Sequence, residues 1–350
     1  MKVEEKAKAF AELGSVMHRL CKGEETAYSD DFQQVLQDAY HKNGWFTGKF
    51  VLKALKDWSE LLTYDSLKKW INPYPNLQLE GGLKVGLILA GNIPLVGFHD
   101  ILSVLITGNK VHGKMSSKDA VLLPFFMQVL TQIEPGFKNR IELDEHLRFH
   151  DIDAVIATGS DNSAKYFDYY FGKYPNIIRK NRTGVAVLTG DETFEELKLL
   201  GEDIFTYFGL GCRNVSKIYA PAGFEINRFF EAVTDFDYLN ENKKYMNNYE
   251  YNRTLYLLDD TKGMLDNNFV ILKEDTSLHA PTGVVHVEYY DQAENVLSEL
   301  NQNRNEIQCV VSRGDIPFGQ SQKPQLHEYA DEKDTVAFLT SLKSEAQKTT

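Results

Sequence analysis

The chain has 350 residues, with 38 Lys and Arg against 50 Asp and Glu, which gives a net charge of −12 at pH 7. This acidic balance argues against a general binder of nucleic acid or of anionic membranes. Its three cysteines, Cys21, Cys212 and Cys309, are too few and too scattered for a disulfide framework or a zinc site. We therefore expect no metal centre, and a reducing, cytoplasmic location.

Neither a signal peptide nor a membrane span is expected. The first residues, Met1–Lys6, are charged and no apolar stretch follows them. The most apolar region, Val85–Ile106, is interrupted by Gly, Asn, Pro, His and Asp.

The length is sufficient for about two domains with ample cores.

The pattern of apolar residues changes near Val85. The first eighty residues have apolar positions at helical spacing, as in Phe10–Leu20 and Phe46–Leu62, which predicts an N-terminal helical region. After Val85, short β-rich runs alternate with amphipathic segments, which predicts parallel sheets covered by helices and an α/β class. Strands are predicted at Val85–Ala90, Ala154–Ala157, Val185–Leu188, Val215–Tyr219, Val284–Tyr289 and Ile307–Val311, and helices at Asn162–Phe171, Thr193–Phe208, Phe224–Val233 and Ala293–Leu300.

The first candidate for a site is Asn92, in Ala90-Gly91-Asn92-Ile93-Pro94, directly after the strand Val85–Ala90. This is the edge of the sheet at which α/β enzymes bind ligands, and an Asn amide there can donate to a developing oxyanion. The alternative is a turn-forming Asn before a proline.

A phosphate-binding motif is suggested by Gly108–Lys114, which has the spacing of a P-loop. The residue that follows is Met115, where magnesium requires Ser or Thr, and the preceding Asp100–Thr107 has a helical pattern where a strand is needed. We therefore do not predict an NTPase. The dinucleotide fingerprint GxGxxG is also missing from the sequence.

Thr158, Gly159 and Ser160 have the context that a phosphate-binding turn requires. They follow the strand that ends at Ala157 and open the helix Asn162–Phe171. A Gly and a Ser at a helix N-terminus offer N–H groups and a hydroxyl to a pyrophosphate. A plain turn between a strand and a helix, with Ser as the cap, is the alternative.

Cys212 lies between an amphipathic helix and an apolar strand. Thr193 and Glu196 form a predicted capping box, Gly209 and Gly211 end the helix, and the strand follows. We predict an exposed nucleophilic thiol, with backbone N–H groups and nearby helix dipoles favouring the thiolate. The alternative is a small buried cysteine, because free Cys is among the most buried residue types.

In this order the motifs resemble those of the aldehyde dehydrogenase superfamily and, within it, the LuxC-like acyl-CoA reductases, over about Val85 to Val311. The matching positions are Asn92 with Pro94 for the Asn–Pro element, Lys114 with Ser116 for the Lys-x-Ser that holds the adenosine ribose, Thr158 to Ser160 for the pyrophosphate turn, and Cys212 for the nucleophile. The resemblance implies two Rossmann-like α/β domains behind an N-terminal helical region, with the active site between the domains. We place the cofactor domain in 1–182 and the catalytic domain with the C-terminal segment in 183–350.

Two departures from the family pattern refine this expectation. Ile178 stands where oxidative members carry the Glu that activates water, so the resemblance implies an acyl-cysteine that exchanges with a thiol such as coenzyme A. Ser277 stands in the usual acidic place of the segment that binds the cofactor ribose, which implies looser positioning of the nicotinamide.

The function expected is reduction of a fatty acyl-CoA to an aldehyde through an acyl-cysteine. Ser117 and Lys118 stand where a carboxylate would favour NAD, so we predict NADPH, with NADH possible. Expected partners are the acyl-CoA substrate, an acyl-activating or acyl-transferring protein, and further copies of the chain as a homo-oligomer. The alternatives are an acyltransferase or thioesterase without a redox step, and a non-catalytic assembly subunit.

Other conspicuous residues receive structural interpretations. Cys309 lies inside a predicted strand and is assigned to the core, and Cys21 to a helix surface or interface. His99 either faces the Asn92 turn or packs in the core. The aromatic run Tyr166–Phe171 either lines an acyl channel or packs its helix on the sheet.

The basic run Arg179-Lys180-Asn181-Arg182 marks the predicted domain boundary. We predict a solvated basic turn, with contacts to phosphates of coenzyme A or the cofactor as the alternative.

Overall fold

The structure is a computed structural model, and it describes residues 1–74, 77, 82–259 and 263–348. These residues form two compact units, of which the first comprises 1–180 with 325–350 and the second 181–324. The segment 325–350 thus belongs to the same unit as the N-terminal helices. The division into a cofactor domain and a catalytic domain at 182/183 stays a prediction.

Four helices come first, and strands and helices are then interspersed along the rest of the described chain. The helices are α1 Val3–Cys21, α2 Ser29–Lys42, α3 Gly48–Leu61, α4 Tyr64–Ile71, α5 Phe98–Ile106, α6 Leu122–Ile133, α7 Asp161–Phe171, α8 Phe194–Phe205, α9 Asn227–Ala232, α10 Lys243–Leu258, α11 Ala293–Gln302 and α12 Thr335–Lys348. The strands are β1 Lys84–Ile88, β2 Lys110–Lys114, β3 Ile141–Asp144, β4 Ala154–Thr158, β5 Asn176–Arg179, β6 Thr183–Val187, β7 Val215–Pro221, β8 Met264–Asp266, β9 Ile271–Glu274, β10 Val284–Tyr290 and β11 Ile307–Val311. Short 3₁₀ turns lie at Pro135–Phe137, Thr206–Gly209, Thr234–Glu241 and Ala330–Glu332.

The first unit contains a parallel sheet in the order β3-β2-β1-β4-β5. Helix α5 is buried along almost its whole length, which explains why its sequence is apolar all round. The residues Gly108–Lys114 run into strand β2 after α5, so they do not form a phosphate-binding loop, as the sequence context indicated. The N-terminal helices bury their apolar faces in the same core, which confirms the predicted helical region.

The second unit contains a sheet in the order β11-β6-β7-β10-β9-β8. Its strands pair in parallel except for β8, which runs antiparallel to β9 at the edge. Every strand and helix predicted from the sequence is present, with bounds that differ by a few residues. The α/β class with parallel sheets is therefore confirmed.

Arg179 corrects the prediction of a solvated basic turn. Its guanidinium is buried and donates from Nη1 to both carboxylate oxygens of Asp100 on α5, at 2.8 and 2.7 Å. Its Nη2 donates to the hydroxyl of Thr335 at the start of α12, at 3.0 Å. Arg179 therefore joins three elements of the first unit, namely β5, α5 and α12.

His99 has a structural role in the same unit. Its ring packs among Trp58, Trp70 and Tyr329, and its Nε2 donates to the carbonyl oxygen of Leu326 at 3.0 Å. The loss of water around the ring lowers the pKa of His99. These contacts support the interpretation that His99 packs in the core.

The buried pair of Arg179 and Asp100 gives a stability prediction. In Asp100→Asn the guanidinium stays buried without a counter-charge, so we expect the free energy of unfolding to fall by about 3–5 kcal/mol. Urea denaturation followed by tryptophan fluorescence measures this change, because Trp45, Trp58 and Trp70 all lie in the first unit.

The matched control is Glu60→Gln, which breaks an exposed pair with Lys56 on α3. An exposed pair of this kind contributes little, so we expect a change below about 0.5 kcal/mol. Equal effects of the two substitutions would contradict the role of the buried pair.

Candidate functional site

Three strands of the first unit end side by side. In the parallel register, Ile88 of β1 pairs with Lys114 of β2 and with Ala157 of β4. The loops that follow these strands therefore leave the sheet at one edge. This arrangement brings together, within the first unit, the Asn92 loop, the turn after Lys114 and the turn at Thr158 to Ser160.

The turn after β2 presents polar groups outward. Lys114, Ser117 and Lys118 are exposed, whereas Ser116 is half-buried and its Oγ accepts from the N–H of Lys118 at 3.2 Å. The turn has no carboxylate until Asp119, which is buried. The exposed ammonium of Lys114 and the hydroxyl groups of the turn can contact an anionic ligand, and exposed Asp144 of β3 lies beside Lys114 in the parallel register.

The turn after β4 contains the N-cap of α7 and a glycine whose backbone lies close to side chains of that helix. Ser160 is the N-cap of α7, and its Oγ accepts from the N–H of Ser163 at 3.3 Å, so the capping interpretation is confirmed. A Cβ on Gly159 would lie 2.8 Å from the Phe167 ring and 2.9 Å from Ser163 Cβ, so only glycine fits. Phosphate contact through the N–H groups of this turn stays a prediction.

The aromatic residues of α7 divide into two faces. Phe167 and Phe171 pack into a small core with residues of β4 and β5, as the packing interpretation requires. Tyr166, Tyr169 and Tyr170 are exposed, and Tyr169 has 82% of its surface accessible. Packing on the sheet therefore explains the phenylalanines but not the tyrosines.

Cys212 is exposed, which confirms the predicted accessibility of its thiol and excludes the buried interpretation. Helix α8 begins with the predicted capping box of Thr193 and Glu196 and ends at Phe205, earlier than predicted. The reason is that Tyr207 and Phe208 have left-handed backbone angles, with φ of 54° and 59°. Gly209 follows with φ of 73°, so the chain reverses in a tight turn before Cys212.

Two left-handed residues other than glycine cost about 1–2 kcal/mol each. Burial of the Tyr207 and Phe208 side chains offsets this cost. Cys309, in contrast, is buried within β11, as predicted.

Asn214 holds this turn, a role that the sequence pattern did not indicate. The buried side-chain amide donates to the carbonyl oxygens of Asp203, Ile204 and Thr206 at 3.0, 3.2 and 2.9 Å. Its Oδ1 accepts from the N–H of Gly211 at 2.8 Å. One side chain thus supplies hydrogen-bond donors to carbonyl groups at the end of α8 and fixes Gly211, the residue before the thiol.

The helix dipole at Cys212 differs from the prediction in sign. Helix α8 presents its carboxyl end to the turn, and that end carries a partial negative charge. The dipole of α8 therefore does not favour a thiolate, and the donors of the Asn214 amide partly compensate the negative end of the helix.

A second connection reaches the turn from the chain after β11. The buried carboxylate of Asp203 accepts from the N–H groups of Gly319 and Ser321 at 2.6 and 2.9 Å. The carbonyl of Ser321 accepts from Nε of Arg213. Burial raises the pKa of Asp203. An acidic residue on the apolar face of α8, between Leu200 and Ile204, is the sequence signal that could have revealed it.

The structure defines the contacts of Ile178 and Ser277, the two positions that depart from the family pattern. Ile178 is buried in β5 and packs in the small core with Val155 and Ala157. The N–H of Ser277 donates to Asp275, and its carbonyl accepts from Nδ1 of His286 at 2.8 Å. Hydrogen bonds from Lys273 and the Ser277 N–H hold the pKa of Asp275 well below its usual range.

Within the part of the chain that the structure describes, no cluster of three or more His, Cys, Asp or Glu side chains is arranged to hold a metal ion. None of the described helices is both long and apolar enough to cross a bilayer.

Comparisons with known proteins show the fold. The sequence matches no protein-family model and no curated protein. Solved structures do match: indole-3-acetaldehyde dehydrogenase AldA of P. syringae, in complex with NAD+ and IAA, has a TM-score of 0.62 at 14% identity over 85% of this chain and 69% of that one. An aldehyde dehydrogenase of Mycobacterium tuberculosis complexed with NAD+ gives 0.61 at 14% identity, covering 85% and 70%. Betaine aldehyde dehydrogenase of Staphylococcus aureus gives 0.61 at 13%, covering 89% and 75%.

The chain therefore has the aldehyde dehydrogenase fold, as the sequence resemblance implied. At these identities the comparisons establish architecture, and chemistry has to be argued from the residues.

Asn214 gives the second prediction. In Asn214→Ala the carbonyls at the end of α8 lose their donor, so we expect a loss of about 2–3 kcal/mol in the free energy of unfolding. Asn214→Asp should be at least as destabilising, because a carboxylate oxygen would then face three carbonyl oxygens. Urea unfolding followed by circular dichroism measures both.

Asn248→Asp is the matched control, since Asn248 is exposed and its side-chain amide donates to the carbonyl of Lys244 within α10. We expect it to change stability by less than about 0.5 kcal/mol. Wild-type stability of Asn214→Asp would show that the amide donors do not hold the turn.

Proposed function

We propose that the protein is a nicotinamide-dependent oxidoreductase that acts through a covalent intermediate on Cys212, and specifically that it reduces acyl-CoA thioesters to aldehydes. The observation that carries the proposal is the exposed thiol of Cys212 on a braced turn of an aldehyde dehydrogenase fold. A side chain held this way in a turn of fixed shape can meet a substrate carbonyl without local ordering, which lowers the entropic cost of attack.

The choice of acyl-CoA as substrate rests on Ile178. A buried isoleucine cannot activate water, so this position supplies no base for hydrolysis of an acyl-cysteine. Without a base to activate water, an acyl-enzyme hydrolyses slowly and persists until a thiol or a hydride reaches it. A thioester substrate forms the acyl-cysteine by thiol exchange alone, with coenzyme A as the leaving group, whereas an aldehyde would first have to be oxidised.

The first half-reaction uses groups of the chain alone. The Cys212 thiolate attacks the thioester carbonyl, a C–S bond to Cys212 forms, and the C–S bond to coenzyme A breaks. Coenzyme A leaves as a thiolate and takes up a proton. We assign Asn92 the role of amide donor to the oxyanion of the tetrahedral intermediate.

The residues at the edge of the first sheet fit a nicotinamide dinucleotide. Lys114 and Ser116 offer an ammonium and a hydroxyl for the adenosine ribose, with Ser117 beside them, and Thr158, Gly159 and Ser160 form a close-approach turn at a helix N-terminus for the pyrophosphate. When bound, the reduced cofactor supplies the hydride that converts the acyl-cysteine to an aldehyde and regenerates the Cys212 thiolate. Exposed Lys118 on the same turn favours the 2′-phosphate of NADPH over NADH.

The central test is Cys212→Ala. Purified protein should consume NADPH only when acyl-CoA is present, release coenzyme A and form an aldehyde that can be trapped, and Cys212→Ala should abolish all three while retaining NADPH binding. Assays across acyl chain lengths rank the substrates. Cys21→Ala, in which a half-buried thiol outside the proposed chemistry is removed, is the matched control and should keep activity.

Reduction by the Cys212→Ala protein would refute the assignment of the nucleophile. Release of coenzyme A that depends on Cys212 but consumes no NADPH would instead support an acyltransferase or thioesterase. An iodoacetamide reaction of Cys212 no faster than that of a free thiol, without turnover, would support a non-catalytic subunit.

The cofactor preference gives a separate prediction. In Lys118→Glu a carboxylate replaces a cation near the proposed 2′-phosphate, so we expect kcat/KM for NADPH to fall at least about tenfold while that for NADH stays nearly constant. Steady-state kinetics with both cofactors measures this. Equal use of NADH and NADPH by the wild-type protein would contradict the assignment.

A further inference from the structure

Asp119 is a buried carboxyl between two loops of the proposed site. It lies between β2 and α6 and is 2% exposed. Its Oδ2 accepts from the N–H of Leu95 at 3.0 Å, and its own N–H donates to the carbonyl of Ser116 at 3.1 Å. A single residue therefore joins the Ser116 turn to the loop that carries Asn92.

The loop at Leu95 needs this support. Leu95 is fully buried and has φ of 58°, a left-handed conformation that costs a leucine about 1–2 kcal/mol. Such a conformation persists only where the surroundings determine it. The Asp119 carboxyl fixes the Leu95 N–H, and with it the course of the chain from Asn92 to the start of α5.

The two loops also touch directly. A Cβ on Gly91 would lie 2.7 Å from Ser116 Cβ and 3.0 Å from the Asp119 nitrogen. A shift of the Ser116 turn therefore displaces the residue next to Asn92, because there is no free space to absorb it.

Burial of the Asp119 carboxyl costs desolvation free energy. Its Oδ1 is buried without a hydrogen bond of normal geometry among the described residues. Burial raises the pKa of Asp119 to about 7, and the N–H groups of Leu95 and Leu122 limit that rise. An asparagine would accept the same hydrogen bond from the Leu95 N–H without burying a charge, so support of the Leu95 loop alone does not explain a carboxyl here.

We infer that Asp119 is a positioning residue that couples the cofactor turn at Ser116 to the Asn92 loop and thereby sets the position of the Asn92 amide. This inference rests on the proposed function, in which Asn92 is the oxyanion donor. Asp119 is buried and acts through the Leu95 N–H, so its contribution is to the rate of the chemical step and not to cofactor affinity.

The test is a double-mutant cycle with Asn92→Ala. Asp119→Leu keeps the branching of the side chain, with larger methyl groups in place of the two oxygens, and removes the acceptor. Asp119→Asn keeps an acceptor and removes the charge. We expect Asp119→Leu to lower kcat at least about tenfold and Asp119→Asn to lower it less, with KM for NADPH changed by less than about threefold. In the Asn92→Ala background, Asp119→Leu should have little further effect. Asp38→Asn, which changes an exposed carboxylate on α2, is the control and should leave kcat unchanged.

Hydrogen–deuterium exchange gives a readout that does not depend on turnover. Peptides containing Leu95 should exchange faster in Asp119→Leu than in the wild type, with peptides of the second unit unchanged. Unchanged exchange at Leu95 would overturn the inference, and so would an equal loss of kcat in the presence and absence of Asn92. If the wild-type protein shows no reductase activity, the proposed function fails, and exchange at Leu95 alone then decides whether Asp119 holds the loop.

Discussion

The first unit depends on a buried ion pair. Arg179 ends strand β5, Asp100 belongs to α5 and Thr335 opens α12, and the guanidinium of Arg179 bonds to both partners. A charge removed from water is tolerated only where its hydrogen bonds and counter-charge are supplied, so the three elements have to meet in one arrangement. Because α5 directly follows the Asn92 loop, the pair also fixes where that loop can lead.

In the second unit, the Cys212 thiol is exposed although the turn that carries it is held by hydrogen bonds. The chain leaves α8 through left-handed residues and reaches Cys212 in a turn braced by Asn214. One buried amide, that of Asn214, accepts or donates the hydrogen bonds that hold the end of the helix and the turn. Exposure of Cys212 and rigidity of its neighbours are therefore compatible.

Local patterns predicted much of this architecture. The period of apolar residues identified the N-terminal helices and the alternating strands, because one buried face of each element is written directly in its own sequence. The capping box of α8 was visible for the same reason, since Thr193 and Glu196 are only three residues apart. The end of α8 was misplaced because the left-handed angles at Tyr207 and Phe208 are set by burial of their rings, which no local pattern records.

The sequence by itself determined which residues are candidates for the chemistry. They are a thiol after a glycine-containing turn, and polar side chains after strands whose carboxyl ends parallel pairing brings to one edge. Only the tertiary structure decided how those residues are held. Arg179 was assigned to solvent because a run of basic residues is normally hydrated, yet a carboxylate 79 positions away makes its burial favourable. Asp119 and Asn214 are likewise supporting residues whose partners are backbone groups, and backbone groups leave no trace in the amino-acid sequence.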